Sequence, residues 1–137
     1  MENDPLDVLF EKAEELDLES RKKLVAMVLP YIAIDPDSGE LFLKSQWSGL
    51  SNALKKILVI FLAKFALSVK DPDFLGSLQQ KDIEEIADIP GGTVRPKVRE
   101  LANMRIIKQV EDGSYIFKSS QYAINTAYKL LKSESNE

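Results

Sequence analysis

Apolar residues recur at helical spacing in six stretches of the chain and alternate in two others. Leu6, Leu9, Phe10 and Ala13 predict a first helix over Pro5–Leu16, with Asp4 as its cap and Pro5 in its first turn. Asp17 can cap a second helix carrying Leu24, Val25, Val28 and Leu29, which Pro30 should end. Over Tyr31–Leu43, Ile32 and Ile34 alternate on one side of "DPDSG" and Leu41 and Leu43 on the other, which predicts a β-hairpin. A long helix follows over Ser48–Val69, apolar on most of its surface and therefore central to a core. After the break at "KDPDF", the stretch "SLQQ" has capping-box spacing, with Ser77 as the cap and Gln80 three residues on. The helix it opens turns Ile83, Ile86 and Ala87 to the core and Glu84 and Glu85 to solvent.

"IPGG" should end that helix, with Gly91-Gly92 supplying a turn of permissive backbone. Thr93 is then the cap of the next helix, and Pro96 sits in its first turn, where a missing N–H does no harm. Val94, Val98, Leu101 and Arg105 share one face of it. Arg95, Arg99 and Asn103 lie opposite, with Lys97 on the flank. "IIKQVEDGSYIFK" predicts a second hairpin, turning in two residues at Asp112-Gly113. A last helix over Ser120–Lys132 carries Tyr122, Ile124, Ala127, Tyr128 and Leu131. The expected class is mainly α with small β-hairpins (α+β). The expected division is an acidic helical and hairpin segment over 1–45, a second unit over 46–132 and a disordered polar tail over 133–137.

Charge sharpens that division. The 137 residues carry a net charge of −4, but residues 1–45 hold 11 acidic and 5 basic side chains, and residues 46–137 hold 11 and 13. Between Pro90 and Lys132 there are 3 acidic and 8 basic residues. An acidic protein that gathers cations in one stretch invites an anionic partner there. The chain has neither cysteine nor histidine, so thiolate and imidazole chemistry, disulfides and His-ligated zinc are excluded. The N-terminus shows no basic stretch leading into an apolar one, as a signal peptide would, and a reducing cytoplasm is the default expectation. The apolar run Ile57–Val69 spans 13 residues with Lys64 inside it, short of the roughly 20 that a membrane-spanning helix requires.

The segment "KDIEEIADIPGGTVRPKVRELANMRIIKQVEDGSYIF" strings together a short helix, a turn, a basic helix and a hairpin. Over about Trp47–Phe117 the chain resembles the winged helix-turn-helix family of prokaryotic-type DNA-binding regulators. That resemblance implies a recognition helix beginning at "TVRPKVREL" and a wing at "MRIIKQVEDGSYIF". It implies Thr93, Arg95, Lys97, Arg99 and Asn103 as contacts to duplex DNA, with Lys108 and Lys118 beside the wing touching the backbone. The chemistry suits the role: Arg pairs bidentately with guanine, Asn with adenine, and free N–H groups at Gly92 and Thr93 can hold a phosphate. It further implies a homodimer, because one helix reads few base pairs, and it leaves the acidic N-terminal segment to recruit a protein partner.

Other readings stand beside it. Glu111 and Asp112 at the wing tip would repel phosphate, and winged helices also serve as protein–protein modules with no nucleic acid. Glu14-Glu15 and Glu84-Glu85 are adjacent on a helix and diverge by about 100°, so they read as solvated charge and not as a catalytic pair. "DPDSGE" has oxygen ligands but not the length of a calcium loop, and is turn chemistry. Trp47, opening the long helix, reads as a core or interface anchor, and the tyrosines of the last helix as packing groups. No nucleophile–base pair, metal cluster or phosphate loop is recognisable, so the expectation is a protein that is not an enzyme and uses no cofactor.

Overall fold

The computed structural model of the protein describes residues 5, 6 and 17–133. The first expected helix therefore lies outside the described residues except for Pro5 and Leu6, as do residues 134–137 of the tail. The described chain runs α1 (Leu18–Val28), β1 (Ile32–Ile34), β2 (Leu41–Leu43), α2 (Ala53–Lys70), α3 (Gln80–Ala87), α4 (Gly91–Asn103), β3 (Ile107–Gln109), β4 (Tyr115–Phe117) and α5 (Gln121–Lys132). The fold is mainly helical with two small antiparallel hairpins, β1–β2 and β3–β4.

Asp17 caps α1 as its sequence position predicts, accepting from the Ser20 N–H at 2.8 Å. That bond and the Ser20 hydroxyl hold its carboxyl below the usual carboxylate range. The first hairpin pairs Ile32 with Leu43 and Ile34 with Leu41. Its turn closes on Gly39 at φ +76°, where a Cβ would stand 2.6 Å from the Phe74 ring. Glycine is therefore required twice over, by backbone sign and by the ring that pins this hairpin to the segment after α2.

The long helix starts later than its pattern predicts. Ser45–Gly49 forms a short 3-10 turn, and Asn52 caps α2 by accepting from the Lys55 N–H at 2.9 Å. Trp47 thus sits buried in the turn and does not open the helix. The delay follows from Leu50, whose extended backbone and buried side chain interrupt the turn, and from Asn52, a stronger cap than Ser48. Ile57 through Ala63 are fully buried in succession, so α2 is surrounded, and α1, α3, α4, α5, β1 and β4 all contact it. Lys55 is buried too. Its ammonium donates to the Ser133 carbonyl at 2.7 Å and closes the C-terminus of α5 with a cation. Among the described residues no helix is long and apolar enough to cross a membrane.

The cap of α3 is Gln79, not Ser77. The Gln79 side chain accepts from the backbone of Asp82, and the Asp82 carboxylate accepts from the Gln79 N–H at 3.0 Å. Tertiary pairing displaces the capping box. Leu78 exchanges two backbone hydrogen bonds with Tyr115, each 2.8 Å, and stays extended until the next residue. One residue of strand is thereby added to the edge of the second hairpin.

The turn into α4 also departs from expectation. The left-handed residue is Asp88 (φ 56°, ψ 49°), a type that tolerates this region. Pro90 is the extended cap, and Gly91 and Gly92 are the first helical residues, so neither glycine supplies the turn. Thr93 is likewise inside α4 and not its cap. Pro96 falls in the second turn, leaving the Gly92 carbonyl without its donor four residues on. Pro96→Ala should restore that bond and relieve the ring's contact with the preceding turn. Part of the gain is offset because alanine loosens the unfolded chain, so a net stabilisation of about 1–2 kcal/mol is expected. Thermal unfolding would read it as a rise of several degrees. An unchanged melt would mean that the helix already accommodates the proline without cost.

Val94, Val98 and Leu101 are buried as the period predicts, but Arg105 is not on their face. It is exposed beyond the helix end at φ 65°. The Arg105 and Ile106 N–H groups bond back to Ala102 and Leu101, a Schellman closure with Ile106 packed beneath. The second hairpin turns through three residues, Glu111–Gly113, not two. Gln109 pairs with Tyr115, Val110 donates to the Ser114 carbonyl at 2.8 Å, and Gly113 takes the left-handed position at φ 71°. Ser120 caps α5, whose Ala123, Ile124 and Ala127 are buried. Tyr122 is 59% exposed and is not a packing group. Tyr128 is half-buried, with Lys23 and Lys132 over its ring.

Candidate nucleic-acid interface

α4 is held against α2 and α3 by Val94, Val98 and Leu101, and this fixes which side faces outward. Arg95 and Arg99, one turn apart, are exposed there, and Asn103 is exposed at the last helical position. Among the described residues, neither arginine has an ion-pair or hydrogen-bond partner. Two planar, permanently charged donors without a partner are the groups a phosphate or a guanine edge would take.

The remaining predicted contacts are less free. Lys97 is half-buried and pairs with Glu100 at 3.7 Å. Thr93 is exposed, but its N–H already donates to the Pro90 carbonyl at 2.9 Å. Lys108 is exposed in the middle of β3, opposite Ile116. Lys118 is half-buried just past β4, its N–H bonded to the Ile106 carbonyl. Arg95, Lys97 and Arg99 thus share α4, while Lys108 lies within the β3–β4 hairpin that α4 leads into and Lys118 directly follows it.

One residue at this site escapes sequence reasoning. Glu84 is half-buried, not turned freely to solvent, and it accepts from Gln80 Nε2 at 3.0 Å. Its Oε2 lies 2.7 Å from where a Cβ on Gly91 would stand. A carboxylate therefore occupies the start of α4, the electropositive end of the helix and the place proposed for a phosphate. Gly92 next to it is open, with nothing within 4 Å of a Cβ. The only sequence hint was the Gln80–Glu84 spacing of four; that α4 begins at Gly91 becomes visible only once Asp88 is seen to make the turn.

No protein-family model matches the chain, no curated protein matches it, and no solved structure matches its fold.

Proposed function

We propose that the protein is a winged-helix DNA-binding regulator that reads duplex DNA with α4. The observation that carries this reading is the exposed pair Arg95 and Arg99, unpartnered among the described residues, on a helix whose other side is locked into the core. The connectivity supports it: α2, the single bridging residue Leu78, α3, α4 and then the β3–β4 hairpin follow the order of a winged helix, with the Leu78–Tyr115 bridge standing where that family has a further strand. In this role Arg95, Arg99 and Asn103 face the major groove, Thr93 and Lys97 approach the flanking phosphates, and Lys108 and Lys118 neutralise backbone beside the wing. The active form would be a homodimer in the cytoplasm, with two helices reading two half-sites.

A second reading has its own observation. The Glu84 carboxylate at the start of α4, the Glu100 partner of Lys97 and the exposed Glu111 on the wing favour a winged-helix module that binds protein and no nucleic acid. Selection from a random duplex pool at two salt concentrations separates the two. Under the first reading a motif is enriched and affinity falls steeply with salt. A folded protein that retains no duplex at low salt would overturn it and turn the search to a protein ligand for the same helix face.

A further inference from the structure

Away from α4, a groove of about 360 Å³ opens between α1, β1 and the C-terminal end of α2. Among the described residues that line it, nine are apolar, three are the cations Arg21, Lys44 and Lys70, and none is acidic. In a chain of net charge −4, an apolar slot with Lys44 and Lys70 at its edge favours an anionic head group over a cationic one. Val25 and Leu29 on its α1 side remain 56% and 58% exposed, so apolar surface is left in water here. The Lys44 ammonium is anchored at 2.6 Å on the Leu29 carbonyl, the open end of α1, with two more N–H donors to offer. Lys70 is the last residue of α2 and is exposed. The volume is at the low end of the roughly 300–1,000 Å³ typical of ligand pockets, which suits one short acyl chain.

We propose that this groove binds a free medium-chain fatty acid, its alkyl chain against Leu24, Val28, Ile32 and Val69 and its carboxylate at Lys44 and Lys70. The site stands apart from the DNA reading, and its test reads the ligand directly. Titration calorimetry of the full chain with octanoate and decanoate, below their micelle concentrations, is compared with octanol and octylamine. Saturable one-to-one binding is expected, about tenfold tighter for decanoate through its two extra buried methylenes. Octylamine should not bind. Val25→Trp, at an exposed helix position, should fill the groove and abolish binding. Lys44→Gln/Lys70→Gln should weaken octanoate about tenfold and leave octanol unchanged. The proposal is overturned if neither acid gives saturable heat, if octanol or octylamine binds as tightly as octanoate, or if both variants, shown folded by a cooperative melt, bind octanoate like the parent.

Discussion

Replacing Phe61 with alanine is expected to lower the unfolding free energy by about 3–5 kcal/mol. Phe61 is fully buried in the middle of α2, the helix that α1, α3, α4 and α5 all touch. Removing its ring strips a large apolar surface from the core and leaves a cavity that a ring of already packed neighbours cannot close. A domain of this size is stable by only about 5–15 kcal/mol, so a large share of the whole is at stake. Urea unfolding followed by the single tryptophan, Trp47, measures it, since that residue is buried in the folded state. The midpoint should fall while the slope stays the same. A loss below about 1 kcal/mol would mean that the core collapses into the space and that α2 is not its rigid centre.

The Arg95→Ala/Arg99→Ala variant carries the second large effect. Under the DNA reading each arginine is worth about 1–3 kcal/mol, so the pair should cost at least thirtyfold in affinity for the selected site. If both contact phosphate, the salt slope should also fall by about two. Stability should hardly change, because both side chains are exposed and have no partner among the described residues. Glu84→Gln belongs beside it. Removing the carboxylate at the start of α4 should tighten DNA binding, because a phosphate would no longer meet a negative charge there. Equal binding by the parent and the double variant would remove α4 as the reader, whatever the affinity.

Much of the architecture was legible in the sequence, since period and cap chemistry are local properties. The 3.6-residue spacing of Val94, Val98 and Leu101 marked the buried side of α4, and Asp17 announced α1. What misled were positions where a partner distant in sequence decides. Ser77 has capping-box spacing, but the pairing of Leu78 with Tyr115 holds the chain extended past it. Gly91-Gly92 looks like a turn, yet Asp88 makes the turn and leaves the glycines free to begin a helix. The same shift moves Thr93 and Pro96 from the edge of α4 to its interior. At the candidate site, the outward arginines followed from periodicity alone. The Glu84 carboxylate did not, because its meeting with Gly91 depends on the angle between two helices.

The contact between α1 and α5 bears on how the chain folds. Lys23 Nζ donates to Asn125 Oδ1 at 2.7 Å, across 102 positions of sequence. Closing so long a loop costs more chain entropy than any neighbouring pairing among α2, α3, α4 and the second hairpin. The seam should therefore form after the rate-limiting step. Lys23→Ala would then speed unfolding and leave the refolding rate nearly unchanged in stopped-flow traces, so the α1–α5 seam would govern how long the folded molecule lasts and not how quickly it is made.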